Sequence, residues 1–409
     1  MMMALHKSAI ASILIAGLCV LGGLRCTPSV LPEALRKGQR LERQGKLEQA
    51  LSVYTQVWKN GQKKRHRTLG GMRRAGILAR LHRNVAAVKT YLAVAEQTGG
   101  RTRPAARRAA RALFRAGRLY LEKMNQTARG LALWRKVMVA YPDTVAAEDA
   151  LKFWVRHHRR HARAVDLVTT LWQYFKAVRH RALADNLLWK IARVYERDLG
   201  NLKSAVEVFD GLGKHKPKSN LADDANFRAA ALYRKLGQPM KALLCYARIL
   251  QTKTRSWVMA SFNSPFLDDA RLQHALTWLE DLRKPERAIA SLRRLADDHQ
   301  TSILRDDALW WMALAHLRLG QRARALAVHA ELTKRFPKSR FVRQKKELQD
   351  WAPVAAALRK RNRAGVCRAL ARHAQNHRFG WFRKRRKHLQ QQHKCEAVDM
   401  QDGKQTRSH

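Results

Sequence analysis

The amino-acid sequence predicts an all-α protein: about eight helical hairpins stacked as a solenoid over residues 27–350, behind an apolar N-terminal helix and ahead of a basic tail. Three observations carry that prediction. A small residue recurs with apolar companions at helical spacing. A turn-forming residue recurs five positions before it. Proline and glycine are scarce, 10 and 21 of 409 residues, too few for a loop-rich β protein. Hydrophobic residues make up 46% of the chain, which supports a sizeable core and excludes a wholly disordered chain.

The N-terminal element comes first. Residues 1–26 carry two charges, Lys7 and Arg25, and no acid. His6 and Lys7 precede an apolar run from Ala9 to Leu24. A positive start followed by such a run reads as a secretory signal. The run is short of the roughly 20 residues of a spanning helix, and an uncleaved anchor is the alternative. The segment ends in Leu21-Gly22-Gly23-Leu24-Arg25-Cys26 and resembles a bacterial lipoprotein signal, in which the cysteine is acylated. That pattern has leucine three residues before the cysteine and a small residue directly before it; here these are Gly23 and Arg25. The resemblance makes Cys26 the candidate lipidation site. It implies a periplasm-facing address in the cell envelope, in one form as an outer-membrane lipoprotein.

The hairpins follow. Their register marks are Ala50, Ala87, Gly130, Ala205, Ala242, Ala288 and Ala325, with a degenerate one at Ala164. The residue after each clear mark is aliphatic and branched. Four past it is mostly a ring: Tyr54, Tyr91, Trp134, Phe209 and Tyr246, then Leu292 and His329. Seven past it is again aliphatic, from Val57 to Leu332. Positions 0, 1, 4 and 7 share one face of a helix. Pro142, Pro217 and Pro337 stand twelve past the mark, where a residue without an N–H stops the helix. Five before the mark stand Gly45, Asn125, Gly200, Gly237 and Gly320, residues that tolerate a left-handed turn. Twelve before it, Gly38, Ala75, Ala230 and Ala313 let a first helix approach closely. Each unit therefore reads helix, turn, helix. Four first helices open on an acidic pair, Glu148-Asp149, Asp223-Asp224, Asp268-Asp269 and Asp306-Asp307. Thr144, Ser219, Ser264 and Ser302 precede the pairs and can cap. Metal ligation is the rival reading of the carboxylates, but recurrence at one register favours helix starts.

This pattern resembles the tetratricopeptide repeat, a helical hairpin of 34 residues with small residues at fixed positions and a closing proline. The Tyr141-Pro142-Asp143-Thr144 and Phe336-Pro337-Lys338-Ser339 segments are similar to its envelope branch, which includes the Tol–Pal coordinator and the lipoprotein of outer-membrane barrel assembly. The chain also resembles the helical, non-catalytic region of some lytic transglycosylases. The resemblance implies a scaffold that holds a protein or peptide in a concave groove lined by first helices.

Sequence signals for chemistry are weak. No Gly-x-Ser-x-Gly elbow, His-Glu-x-x-His helix or Cys-x-x-Cys pair occurs. His157 and His161 stand one helical turn apart without an evident third ligand, so a solvated basic face is the favoured reading. Cys245 reads as a core residue, and Cys367 and Cys395 can pair in an oxidising compartment. The sequence implies no catalytic residue, cofactor or metal, and the chain reads as a non-enzyme.

Charge is the second informative feature. Lys and Arg number 82 against 31 Asp and Glu, a formal net charge of +51. Such a field attracts anions, and outside the cytoplasm these are lipid, lipopolysaccharide, peptidoglycan or acidic proteins. The tail from Trp351 differs in kind. Pro353 breaks the hairpin pattern, and residues 351–395 read as a basic capping segment before a disordered end at 396–409. Within it Arg378, Trp381, Phe382, Arg383, Lys384, Arg385, Arg386 and Lys387 mix rings with cations and form the candidate anionic-surface site. A docked aromatic plug with a solvated charged end is the competing reading. The function expected is an exported, non-enzymatic interaction scaffold of the bacterial envelope. A peptidoglycan-binding accessory arm and a nucleic-acid-binding repeat protein are the alternatives.

Overall fold

A computed structural model describes residues 33–99, 102–251, 266–298 and 302–395. The signal segment with Cys26, Ser264 and the 396–409 end lie outside these residues. Every regular element among the described residues is helical. The chain divides into two compact units, one holding residues up to His161 with Lys176–Leu183, the other Ala162–Phe175 with the chain from Ala184 onward.

The first unit contains α1 (Glu33–Arg43), α2 (Leu47–Asn60), α3 (Lys64–Arg80), α4 (Asn84–Thr98), α5 (Arg103–Lys123), α6 (Thr127–Ala140) and α7 (Val145–His161). Helix α8 (Ala164–Val178) is shared between the units. The second contains α9 (Leu183–Arg197), α10 (Leu202–His215), α11 (Ala222–Lys235), α12 (Pro239–Gln251) and α13 (Leu267–Leu276), which runs into a π-helical turn, Thr277–Asp281. It continues with α14 (Pro285–Asp298), α15 (Arg305–Arg318), α16 (Arg322–Arg335), α17 (Lys345–Arg359), α18 (Arg363–Asn376) and α19 (Arg383–Gln392). Consecutive helices pack side by side from α1 to α7 in the first unit and from α10 onward in the second, and first helices also pack on the next first helix, as α3 on α5, α5 on α7 and α15 on α17.

The register marks are the core of this arrangement. Ala50, Ala87, Ala205, Ala242, Ala288 and Ala325 are completely buried, and Gly130 is buried with them. The residues at +4 and +7 are buried in all seven clear units. At +1 the burial is uneven, because Leu51, Leu131, Ile289 and Leu326 sit half-buried at the edge of the apolar stripe. The turn position holds just as well. Gly45, Asn125, Gly200, Gly237 and Gly320 all have positive φ, from 51° to 78°. Helices α6, α10 and α16 end two residues before Pro142, Pro217 and Pro337.

Small residues at the crossings are a steric requirement. A Cβ on Gly38 of α1 would stand 2.5 Å from Tyr54 Cε1 in α2. The Tyr54 ring cannot retreat. It is completely buried, and its hydroxyl donates to Glu42 Oε2 at 3.1 Å. Burial and the Glu42 carboxylate push the phenol up to about 12, so it stays a donor. Gly38→Ala is expected to lower stability despite the roughly 1 kcal/mol of helix propensity it gains, because overpacking costs about 1–3 kcal/mol. Urea unfolding followed by circular dichroism measures this; a more stable variant would show that α1 moves freely on α2.

Three expectations are corrected. The mark in the degenerate unit is Leu167, not Ala164. Leu167, Leu171 and Tyr174 are buried, whereas Ala164 is half-buried and Val165 exposed. Pro353 does not break the chain: α17 runs through it, and the boundary drawn at residue 350 falls inside that helix. Helices α17 and α18 form one more hairpin, with Arg361 at φ 52° in the turn and Val354, Val366 and Leu370 buried at the usual register. Finally, Thr144 caps α7 through Ala147 N–H at 3.3 Å, but Ser219 and Ser302 accept from Leu221 and Leu304 N–H and brace the preceding turn instead.

Candidate interaction site

The C-terminal basic segment is built onto the last hairpin. Its anchor is Glu347 in the first turn of α17, which is 2% exposed. Its two carboxylate oxygens accept the backbone N–H groups of Trp381 at 3.0 Å and Phe382 at 3.1 Å. This turns the chain at Gly380, where a Cβ would collide with the same carboxylate. Phe382 then enters the core and stacks on Trp351, with centroids 4.1 Å apart. Trp381 lies edge-on to Trp310 and Trp311 at 5.3 and 5.4 Å.

The structure therefore divides the eight candidate surface residues. Phe382 is fully buried and Trp381 partly so, and neither ring is free to enter a membrane interface. Arg386 is 6% exposed and donates to the carbonyls of His377 and Arg378 at the end of α18. Arg385 reaches back 105 residues to pair with both oxygens of Glu280 in the π-helical turn, at 2.8 and 2.6 Å. Arg378, Arg383, Lys384 and Lys387 stay exposed. Phe379, in the same run of rings and cations but outside the eight candidates, is 76% exposed with the Arg378 and Arg383 guanidiniums over its ring at 5.5 and 5.6 Å. The aromatic plug and the exposed cationic ridge thus coexist within one segment.

Cys367 and Cys395 form a disulfide across this end. A bridge over 28 residues contributes about 2–4 kcal/mol by restricting the unfolded chain. Cys367→Ser is expected to lower Tm and to abolish the difference between oxidised and reduced protein; equal Tm values in wild type with and without reductant would contradict this. Nearby, burial first, and then the charges of His377 and Arg386, push His373 down to about 4. It is neutral at pH 7, and its Nε2, 3.9 Å from Glu347, makes no ion pair there. Between about pH 6.5 and 4 the unfolded chain binds a proton that the folded chain does not, so stability falls as pH falls through this window. His373→Phe should flatten the Tm-versus-pH curve there; an unchanged slope would assign the acid sensitivity elsewhere.

The histidine ladder is structural. His158 stacks on Trp154 at 3.6 Å and His157 on His161 at 4.3 Å. Nδ1 of His158 and of His161 each bonds the carbonyl one turn back on α7. Among the described residues no group of three or more His, Cys, Asp or Glu could hold a metal ion, and no helix is long and apolar enough to cross a membrane. The Cys245 thiol is pushed up to about 12 by burial and Asp210, which leaves it inert at neutral pH.

The acids are spent between repeats. Glu48 pairs with Arg83, Asp143 with Arg181, Asp297 with Arg335 and Glu331 with Arg293, each partner 35 or 38 residues away. Asp307 of the last acidic pair holds Arg340 of the next loop at 2.8 Å, and Asp306 accepts from Ser339. Each such exposed pair is worth about 0–1 kcal/mol, so their effect is to fix how one hairpin meets the next.

The family model of the tetratricopeptide repeat matches residues 111–144 and 307–339, the α5–α6 and α15–α16 hairpins with their closing prolines. The chain carries tetratricopeptide repeats. No curated protein matches it. Solved structures similar to this chain include a tetratricopeptide repeat protein from Parabacteroides merdae, 15% identical over 70% of this chain and 98% of that one with a TM-score of 0.33. Another is the C-terminal part of a repeat protein from Cytophaga hutchinsonii, 12% identical over 76% and 98%, TM-score 0.36. A third is the TPR2AB domain of yeast Sti1 in complex with pHSP90, 14% identical over 79% and 98%, TM-score 0.25. Tetratricopeptide repeats support a scaffold for protein–protein interaction.

Proposed function

We propose that this tetratricopeptide-repeat protein is an exported, non-catalytic scaffold of a bacterial-type cell envelope, which holds a protein partner and turns a cationic surface toward anionic material. The observation that carries the reading is the charge inventory set against the ion pairs. Thirty-one acids cannot neutralise 82 bases, and many of those acids are already committed between repeats. The surplus is spread along the chain, and at the C-terminal end it stands exposed on Arg378, Arg383, Lys384 and Lys387. The Cys367–Cys395 bond supports an oxidising compartment, and the apolar run before Cys26 supports export with acylation there.

Cross-linking in cells, read by mass spectrometry beside fractionation, tests this. The expected result is envelope-associated protein lacking Met1, with acyl label lost in Cys26→Ser and adducts to one dominant envelope protein. Cytosolic protein with Met1 intact and adducts to nucleic acid would overturn it. Salt-sensitive pelleting with purified peptidoglycan, without a protein adduct, would replace the protein partner by the cell wall.

A further inference from the structure

The first unit contains a cavity of about 740 Å³ between the start of α3, the end of α4 and the start of α5. Its size falls in the range of small-molecule pockets. Among the described residues Lys64, Arg65 and Arg108 line it, and no acid does. The surrounding sequence has the same bias: between Glu48 and Glu122 there are seventeen Lys and Arg residues and a single acid, Glu96. Four of those cations find a carboxylate, Arg73 and Arg80 on Glu42, Arg83 on Glu48 and Arg118 on Glu122. The three in the cavity are not among them.

Arg108 gives the second, independent observation. Its Nε is buried and has no hydrogen-bond partner among the described residues. A buried guanidinium N–H without an acceptor is unfavourable; Nε itself is closed to solvent, so an oxyanion in the cavity would meet the Arg108 guanidinium and supply the acceptor as that side chain turns toward it. Thr68 and Thr98 do not compete as donors, since they spend their hydroxyl protons on the carbonyls of Arg65 and Val94, while Thr102 accepts from Ala105 N–H. The α3 start has no side-chain cap, so its positive end adds to the cationic wall. The opposite wall has the other polarity. It is the carbonyl end of α4, where Thr98 and Gly99 line the cavity. Cations on one wall and acceptors on the other suit a body that carries both an oxyanion and hydroxyl groups.

We infer that this cavity binds a phosphorylated sugar-sized molecule, its phosphate on Lys64, Arg65 and Arg108 and its hydroxyls toward the end of α4. Free phosphate would fill only part of the volume. Guanidinium forks match phosphate oxygens in pairs, which separates this site from a merely diffuse positive field. The inference stands on its own geometry and does not need the scaffold reading.

Titration calorimetry of the full chain with glucose 1-phosphate tests it, beside inorganic phosphate and glucose alone. One saturable site is expected for glucose 1-phosphate, at least tenfold weaker binding of inorganic phosphate, and none of glucose. Arg108→Gln should weaken binding at least tenfold while leaving Tm without ligand near the wild-type value. Should that variant fail to fold, Lys64→Gln with Arg65→Gln, both on exposed side chains, gives the same reading. Lys384→Gln with Lys387→Gln, an equal loss of charge elsewhere, should change nothing. Phosphatidylcholine vesicles with and without phosphatidylinositol 4-phosphate separate the sources. Binding to the phosphorylated vesicles that glucose 1-phosphate displaces assigns a membrane-borne group, and its absence assigns a soluble one. No saturable site, an unchanged affinity in the cavity variant, or an equal loss in the control pair would overturn the inference.

Discussion

Trp310→Ala lowers the unfolding free energy by roughly 3–5 kcal/mol, the range for removing a buried large ring, whereas Trp310→Phe costs about 1 kcal/mol. Trp310 is completely buried on α15 and is the hub of the aromatic cluster. Phe341 stacks on it at 4.9 Å with planes 10° apart, and Trp381 and Phe382 lie at 5.3 and 5.9 Å. Alanine would leave a cavity lined by rings that are themselves pinned, so the site cannot collapse. Phenylalanine keeps most of the contact area. It also removes an indole N–H that is buried without a partner, which offsets part of the lost volume. Equilibrium urea unfolding measures both. An alanine variant as stable as wild type would show that the cluster does not hold the α15–α19 end together.

Glu347→Ala releases the C-terminal segment. The buried N–H of Phe382 and the part-buried N–H of Trp381 lose their acceptor, and each orphaned group costs about 1–3 kcal/mol, roughly 2–6 kcal/mol together. The loss is local before it is global. Amide exchange at Trp381 and Phe382 should accelerate by two orders of magnitude or more, while the α10–α12 core stays protected. Glu347→Gln should fall between, because its amide offers one acceptor and turns a donor toward the second N–H. Unchanged exchange at Trp381 in the alanine variant would mean that ring packing alone docks the segment.

Periodicity made the hairpins legible, because alanine at the crossing, a ring at +4 and a positive-φ turn are requirements imposed in every unit. It failed where chemistry could be substituted. His82, Arg283 and Arg361 take the left-handed turn with φ from 52° to 58°. Nothing in an Arg or His announces that conformation, which costs such residues about 1 kcal/mol. The α17–α18 hairpin went unread for the same reason: Val366 replaces alanine, and Pro353 reads as a stop. Leu167 was hidden behind Ala164, although it lies 37 residues after Gly130 and 38 before Ala205, closer to the prevailing spacing. The surface site was half legible. Rings and cations alternate in residues 378–387, but only packing decides which face inward, and the deciding carboxylate, Glu347, lies some thirty residues upstream. The cavity of the first unit was not legible at all, since its walls come from three helices.

The arginine–carboxylate pairs have one more consequence. Apart from Arg385, which spans 105 residues to Glu280, the pairs between repeats reach about one hairpin along the chain, and the crossings at Gly38 or Gly130 involve only adjoining helices. Within each unit the wiring is therefore that of links, where a fault is felt by its immediate fellows. Excision of one whole link, cut at equivalent turn residues, should heal more readily than a shorter deletion that leaves half a hairpin. Such a plan lets lineages lengthen or shorten the array by gene-segment duplication while the remaining links keep their seating.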